Sequence, residues 1–403
     1  MQWIKSHRWQ TVILTVLLFI AIFVFYTDLY LIYIPRPDDF DSAFIQDMKA
    51  AKIPGAAILF IRDGQIESAN GYGLADLQTK RAATPDTLFT IASISKTVTA
   101  TALMTLYEQG KFSLDDSIDP YLPFEVRNPN FPDMPITFRM LLSHTSSIQD
   151  SDVYDEYYTL QQSPALPDSP IPLGEFLKDY LSPDGKLFSA KDNFLQNAPG
   201  TTYTYSNIAF GLVGFLTERI SGMPFDVYCK QAVFGPLDMD HTAWYFKDVD
   251  TELMAVPYGY DNLLRQPKPY GFYGYPTYPD GTLKTSVNEF ARFLSVFINE
   301  GKTFEGKPFL APGTVKEMLT LHSFSGTDSG DSVGLAWHSR GGFYFHTGGD
   351  PGIFTITIFN PDTNQGVVLF SNGGGEFDIP GLARQDFFAN EAVSLLMTKM
   401  IAP

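Results

Sequence analysis

Strand-like runs at both ends of the chain, separated by a long helical middle, constrain the fold more than any other feature. Residues 56–61 and 66–72 lie on either side of Asp63-Gly64, a pair that supplies the positive φ angles of a hairpin turn. Three further strand-like runs, separated by Gly, Pro and Asn turns, lie near the carboxyl end: residues 343–346, 353–359 and 367–371. The pattern predicts a mixed α/β (α+β) fold, in which both chain ends build one antiparallel sheet that is flanked by helices.

The segments between and beyond these strands are typical of helices. We expect helices over residues 40–52, 93–109, 208–220 and 382–400, the second closed by Gly110 in a left-handed cap. Residues 110–285 indicate helix and long loop. The sequence therefore predicts a mainly helical lobe inserted into the sheet domain.

The amino terminus predicts a membrane segment. Residues 9–27 carry no charge and are mostly apolar, and about 20 apolar residues suffice to span a bilayer. Lys5 and Arg8 precede this run and aspartates follow it, so residues 1–8 are expected to be cytoplasmic. We expect a single-pass signal-anchor helix over 9–27, a juxtamembrane linker over 28–39 and one domain over 40–403 on the outer side of the cell membrane. A cleaved signal peptide is the alternative, although the run lacks a small-x-small cleavage site.

Charge and cysteine content exclude some classes of partner and site. The chain has 28 basic and 45 acidic residues and a formal net charge of −17, whereas nucleic-acid binding needs clustered Lys and Arg. Nucleic acid is therefore not expected as a partner. The single cysteine, Cys229, can form neither an intramolecular disulfide nor a cysteine-based zinc site.

Ser93 and Lys96 form a Ser-x-x-Lys pattern at the start of a helix that is apolar or small almost all round. Such a helix is buried, so its amino end lies inside the molecule. Residues three apart share a helix face, which places Lys96 beneath the Ser93 hydroxyl. Burial favours the neutral amine, and a neutral amine can accept the serine proton. By itself the tetrapeptide also fits a helix cap followed by a solvated lysine.

Two more segments carry polar groups suited to a cleft. Tyr205 and Asn207 are two residues apart in an extended segment before a helix, so both can face one side, although a packed tyrosine and a capping asparagine fit equally. The segment His346-Thr347-Gly348-Gly349 ends a strand, and its glycines allow a substrate backbone to approach closely. Alone, that segment is simply a turn.

Taken in this order, the three segments resemble the active-site motifs of the serine β-lactamase and penicillin-binding-protein superfamily. The likeness is to the branch of class C β-lactamases, D-alanyl-D-alanine carboxypeptidases and related esterases. Further matching segments are residues 141–146, Pro199-Gly200, residues 334–337 and residues 346–352. The resemblance covers roughly residues 40–400 and implies that 40–403 is a serine hydrolase domain of the β-lactamase/transpeptidase-like fold.

The resemblance also implies roles for these residues. Ser93 is the acyl-accepting nucleophile, Lys96 and Tyr205 share the acid–base work, and the sequence leaves open which of them is the base because coupled groups titrate as a pair. Asn207 binds the substrate and orients Lys96. The backbone N–H groups of Ser93 and Gly349 form the oxyanion hole.

The remaining segment implies substrate contacts and one departure from the family pattern. His346, Thr347, Gly348 and Gly349 are expected to bind substrate. Class C β-lactamases typically carry a lysine where this chain has His346, and a histidine of ordinary pKa is mostly neutral at pH 7. The sequence therefore favours a membrane-anchored hydrolase of amides or esters, of the D,D-peptidase or esterase type, acting on a small-molecule or peptide substrate. A true β-lactamase and a catalytically inactive binding protein remain alternatives.

The other histidines and the tyrosine-rich stretch are not assigned catalytic roles. His144, His241, His322 and His338 are assigned structural roles, and no metal or cofactor is expected. The tyrosine-rich stretch over residues 258–278 either roofs the cleft or packs as ordinary surface. The sequence does not determine which acyl substrate is accepted, whether water or an amine accepts the acyl group, or what the oligomeric state is.

Overall fold

The fold is seen in a computed structural model of the protein. The structure describes residues 2–24, 30, 34–159, 167–261, 264–327, 330–374 and 384–402. These residues form two compact units, one drawn from 1–53 and 377–403 and the other from 54–376.

The described helices, numbered in chain order, are α1 Gln2–Val24, α2 Phe40–Ala51, α3 Ser95–Glu108, α4 Phe138–Leu142, α5 Leu173–Leu181, α6 Asn207–Ser221, α7 Phe225–Cys229, α8 Val287–Ile298, α9 Pro312–Leu319 and α10 Arg384–Ile401. The described strands are β1 Gly55–Arg62, β2 Gln65–Asp76, β3 Arg81–Ala82, β4 Phe89–Thr90, β5 Tyr258–Asp261, β6 Gln266–Pro269, β7 Lys284–Thr285, β8 Ser332–Val333, β9 His338–Arg340, β10 Phe343–Asp350, β11 Ile353–Asn360 and β12 Gln365–Ser371.

The main sheet confirms that both chain ends contribute strands. Its order is β3-β2-β1-β12-β11-β10-β9-β8, and β1 pairs antiparallel with β12 in the register Leu59 to Val368. The turn between β1 and β2 has positive φ at Asp63 and Gly64, as the Asp-Gly pair predicts. Two small two-stranded sheets pair β4 with β7 and β5 with β6. Strands β5, β6 and β7 lie within residues 110–285, where only helix and loop were predicted.

The hydrophobic core of the 54–376 unit lies where the sheet meets helices. The side chains of β1 and β11 are buried along almost their whole length, as expected of central strands covered on both faces. On one side α8 contacts β12, and the rings of Phe290 and Phe370 lie 5.6 Å apart. Helix α3 is buried between other elements, as its apolar composition predicts, and packs against α6.

The other unit pairs α2 with α10, and the rings of Phe44 and Phe388 are 5.9 Å apart. Helix α10 agrees with the predicted helix over 382–400, except that residues 382–383 lie outside the described residues. The single domain over 40–403 stays a prediction.

The predicted membrane helix over 9–27 is not supported. In the part of the chain that the structure describes, no helix combines the length and the apolar composition needed to cross a membrane. Helix α1 covers Gln2–Val24 and includes Lys5, Arg8 and Gln10 before its apolar segment begins. Residues 25–27 lie outside the described residues.

Candidate active site

Ser93 lies in a tight 3-10 turn, Ala92–Ile94, between β4 and α3. The turn forces positive φ on Ala92, and the serine is half-buried while its two neighbours are fully buried. The α-helix itself begins at Ser95, two residues later than predicted. Ser93 is thus presented at the helix entrance, with a side chain that a substrate can reach.

Lys96 lies one turn further along and is completely buried. Its Nζ donates hydrogen bonds to Ser93 Oγ at 3.2 Å, Asn207 Oδ1 at 2.6 Å and the backbone oxygen of Asp280 at 2.7 Å. Three acceptors match the three N–H donors of a charged ammonium group. The sequence-based placement of Lys96 beneath Ser93 therefore agrees with the structure.

The charge state of Lys96 differs from the one that burial alone predicts. Burial lowers the pKa of Lys96, but the neighbouring Tyr205 and the Asp280 carboxylate raise it, and the net direction is upward from 10.5. The resting site therefore holds Lys96 as a cation. The expectation of a neutral lysine was wrong because two partners contributed by distant segments offset the desolvation.

Tyr205 approaches the same pair from a distant segment of the chain. Its ring centroid lies 5.0 Å from Lys96 Nζ. Burial raises the pKa of the Tyr205 phenol, while the charge of Lys96 and hydrogen bonds with Lys96 and Ser93 act in the opposite direction. Ser93, Lys96 and Tyr205 thus form one coupled proton-transfer group.

Asn207 is the first residue of α6, and Asp150 fixes its orientation. Asp150 accepts hydrogen bonds from the Asn207 backbone N–H and from its Nδ2, both at 2.9 Å, and from the Ile208 N–H at 3.0 Å. With its amide nitrogen held in this way, Asn207 directs Oδ1 towards Lys96. The actual helix cap is Ser206, whose Oγ accepts from the Ala209 N–H.

Asp150 was not identified from the sequence. It lies in a loop without a recognisable spacing to Asn207, and only the fold brings the two residues together. One sequence signal could have indicated Asp150: it lies shortly after the 141–146 segment, whose His144 also contacts the site.

His144 has the structural role predicted for it. Its Nδ1 accepts a hydrogen bond from the Ser206 N–H at 3.1 Å, and its ring stacks on Tyr205 with centroids 4.5 Å apart. Burial holds the pKa of His144 well below its ordinary value, so the ring is neutral. His144 therefore supports Tyr205 from behind.

Strand β10 carries the segment His346–Gly349 of the candidate site. The strand continues to Asp350, so this segment is strand rather than turn. Thr347 and Gly349 are exposed, whereas His346 and Gly348 are buried. A Cβ on Gly348 would lie 2.5 Å from the Ile91 backbone oxygen, so only glycine lets β10 approach the Ser93 turn this closely.

His346 is neutral and turned into the protein. Its side chain lies 6.4 Å from the Tyr205 ring, centroid to centroid, and only 2% of the residue is exposed. Nδ1 donates to the Thr347 oxygen at 2.7 Å, and burial lowers the pKa of the ring well below 6.5. The site thus lacks at this position the permanent cation that lysine would supply.

Part of the tyrosine-rich stretch borders the site. The hydroxyls of Tyr158 and Tyr275 donate to the two carboxylate oxygens of Asp350 at 3.2 and 3.3 Å. The Tyr273 hydroxyl donates to the Pro351 oxygen at 2.7 Å. Tyr273 and Tyr275 are buried, so these rings form a packed wall beside β10. Residues 262–263 of the stretch lie outside the described residues.

Comparison with known proteins agrees with this geometry. The family model described as Beta-lactamase matches residues 40–391. The chain belongs to the beta-lactamase family. Its resemblance to the β-lactamase and penicillin-binding-protein superfamily is thereby confirmed, and the fold is that of this family of serine hydrolases.

Similar proteins share the family fold at low sequence identity. The chain is 24% identical over 342 residues to Protein flp of Staphylococcus aureus, an alignment that covers 84% of this chain and 63% of that protein. The chain thus spans less than two thirds of the length of this curated relative. Among solved structures, an octameric penicillin-binding protein homologue from Pyrococcus abyssi aligns with a TM-score of 0.69 at 23% identity, covering 89% of this chain and 76% of the other. A beta-lactamase/D-alanine carboxypeptidase from Pseudomonas syringae aligns with a TM-score of 0.66 at 23% identity, covering 90% and 99%.

Proposed function

We propose that the protein is a serine hydrolase that cleaves an amide or ester through an acyl-enzyme on Ser93, as a D,D-peptidase or esterase. The convergence of Ser93 Oγ, Lys96 Nζ and Tyr205, with Asn207 on the far side of the lysine, carries this proposal. A nucleophile within hydrogen-bond reach of a base, which is itself oriented by a third group, is the arrangement expected of covalent catalysis.

The reaction divides into two halves. In the first, the Lys96–Tyr205 pair has lost one proton to solvent before Ser93 Oγ attacks the acyl carbon. The Ser93 proton then passes to that pair, and the pair protonates the leaving amine or alcohol as its bond to the acyl carbon breaks. In the second half, water loses a proton to the same pair and attacks the ester, and Ser93 recovers its proton on release of the acid. The chain supplies every group that these steps need.

The oxyanion hole is part of the proposal. The backbone N–H groups of Ser93 and Gly349 would donate to the developing negative charge on the acyl oxygen, worth about 3 kcal/mol per donor. The close approach of Gly348 to Ile91 supports this assignment, because it brings β10 against the turn that carries Ser93. Thr347 and Gly349, on the exposed face of β10, would bind the substrate backbone.

The neutral, buried His346 disfavours efficient β-lactamase activity. A permanent cation at this position would bind the carboxylate of a β-lactam or of a peptide, and His346 is held neutral by burial, so substrates that do not depend on this ion pair, such as esters, are favoured. An inactive binding protein is disfavoured because Ser93, Lys96, Tyr205 and Asn207 are all present and in contact with one another.

A substrate panel tests the function. The protein and its Ser93→Ala variant would be incubated with a D-Ala-D-Ala peptide, short-chain nitrophenyl esters and a chromogenic cephalosporin. We expect Ser93-dependent turnover of the peptide or an ester, and slow cephalosporin hydrolysis. Fast cephalosporin turnover would instead identify a β-lactamase, and no turnover of any substrate would favour the binding role.

A location outside the cytoplasmic membrane is a further part of the proposal. It is supported by the charge asymmetry of the sequence, in which Lys5 and Arg8 precede the apolar segment of α1 and aspartates follow it. Protease treatment of intact spheroplasts tests it. Degradation of the protein without lysis supports this location, and protection until lysis contradicts it.

A further inference from the structure

Asp280 is a buried carboxyl group beside Lys96 that has no role in the mechanism described above. It lies in the 3-10 turn Tyr278–Asp280 and is 1% exposed. Its Oδ1 is 3.8 Å from Lys96 Nζ, in addition to the hydrogen bond that its backbone oxygen accepts from the same nitrogen. Lys96 is therefore flanked by Ser93 on one side and by an acid on the other.

The surrounding structure holds Asp280 in place. The Tyr154 hydroxyl lies 3.2 Å from Oδ1 and 3.1 Å from Oδ2, where it donates to the carboxylate. The turn is tied to α3, because Thr99 Oγ1 donates to the Pro279 oxygen at 2.6 Å. On the other side of Asp280, a Cβ on Gly281 would lie 1.9 Å from the Tyr275 hydroxyl, so the chain is closely packed there.

The charged and titratable groups around Asp280 come from every element packed against it. Lys96 is the positive group that acts on the carboxylate, and the others are phenols and carboxyls. Among the described residues, these groups are Lys96, Asp150, Tyr154, Tyr158, Tyr205, Tyr275 and Asp350. The interaction with Lys96 is the one that links Asp280 to catalysis.

We propose that Asp280 is a positioning residue of the hydrolase, which sets how readily the Lys96–Tyr205 pair gives up the proton that it must lose before Ser93 can react. This inference rests on the proposed function. Asp280 acts through Lys96 and does not touch the substrate.

The sign of the effect is the same whichever residue is the base. A negative charge on Asp280 raises the pKa of Lys96 and also raises the pKa of Tyr205. An ionised Asp280 therefore opposes the activating deprotonation of the pair and keeps the resting site cationic. Burial raises the pKa of Asp280 itself to about 7, so this opposition develops as the pH rises through neutrality.

The Asp280→Asn variant tests the inference, because it keeps the shape of the side chain and removes its charge. The rate at which a fluorophosphonate labels Ser93 would be measured from about pH 6 to about pH 11.5, because the pKa values of Lys96 and Tyr205 lie above their ordinary values of 10.5 and 10.0. We expect the acidic limb of the rate profile to move to lower pH by about one unit, the lower end of the shift expected from a charge this close. Asp133→Asn, an exposed aspartate, is the matched control and should leave the limb in place.

A second variant covers the case in which Asp280→Asn does not fold. Asp280→Ala removes the same charge together with the side-chain contacts of the carboxyl group, so a shift in the same direction is expected. If the acidic limb of the labelling-rate profile keeps its position in the variant and only the maximal rate falls, Asp280 has a merely structural role. Equal labelling of Ser93→Ala would instead overturn the proposed function, so the two failures are distinguishable.

Discussion

Lys96 Nζ donates to Asn207 Oδ1 at 2.6 Å, although the two residues are 111 positions apart in the chain. This hydrogen bond joins the amino end of α3 to the amino end of α6 and holds the lysine at the nucleophile. It gives Lys96 a fixed position that a flexible side chain would not keep in water. The predictions below follow from this junction and from the buried groups around it.

Replacement of Lys96 by methionine should nearly abolish labelling of Ser93. The variant keeps the length of the side chain but removes a member of the acid–base pair, and such groups typically contribute 10²- to 10⁴-fold to the rate. Fluorophosphonate labelling rates at pH 7 and at pH 9 would be compared with those of the wild-type protein. A loss of less than about tenfold at both pH values would exclude Lys96 from the proton transfer.

Asp150→Asn should reduce kcat/KM by roughly ten- to a hundredfold, an order expected when a supporting group around a catalytic residue is lost. The carboxylate accepts from donors on Ser206, Asn207 and Ile208, and an amide offers a single accepting oxygen. Turnover and thermal unfolding would be measured together. Asp152→Asn is the matched control, because it changes an exposed neighbouring carboxylate. Equal activity of the two variants would contradict the role of Asp150.

Gly348→Ala should destabilise the protein by roughly 1–3 kcal/mol and lower its activity. The added Cβ would lie 2.3 Å from Thr355 Oγ1 and 2.5 Å from the Ile91 oxygen, which would push β10 away from the Ser93 turn. Gly313→Ala serves as the control, since no atom lies within 4 Å of its added Cβ. Urea unfolding and labelling rates check both effects, and wild-type behaviour of Gly348→Ala would show that the close approach is not required.

The sequence predicts those features of the structure that depend on residues close together in the chain, and it misses contacts between distant segments. The Asp63-Gly64 turn, the buried α3 helix and the contact between Ser93 and Lys96 depend on neighbouring residues, and all three agree with the structure. Asp150 and Asp280 were missed because the fold alone brings them to Asn207 and Lys96.

The charge of Lys96 was wrongly predicted for the same reason. Burial can be inferred from the apolar composition of α3, but Tyr205 and Asp280, which raise the pKa of Lys96 against it, are brought to the lysine only by the fold. The membrane helix was predicted from the lack of charge over residues 9–27, and none of the helices that the structure describes has the length and apolar composition to cross a membrane.

Lys284→Met should stabilise the protein near neutral pH. Lys284 is fully buried, and burial lowers its pKa from 10.5 to about 7. Between these values the unfolded chain holds a proton on this lysine that the folded chain lacks, so the wild-type free energy of unfolding rises with pH across this window. The gain from methionine, on the order of a few kcal/mol at pH 7, should therefore shrink towards pH 10.

Urea unfolding of the two proteins at pH 7 and at pH 9.5 measures this difference. The Trp244 oxygen that Lys284 contacts at 2.6 Å keeps its hydrogen bond from Thr282 in the variant. A difference in stability that does not change with pH would contradict the buried neutral lysine.

The mass of the intact protein after reaction with a fluorophosphonate, followed by peptide mapping, tests the central claim most directly. We predict a single covalent adduct on Ser93, formed by the wild-type protein and absent from Ser93→Ala. The absence of an adduct on the folded wild-type protein, or an adduct that Ser93→Ala forms equally, would contradict a nucleophilic serine at this site.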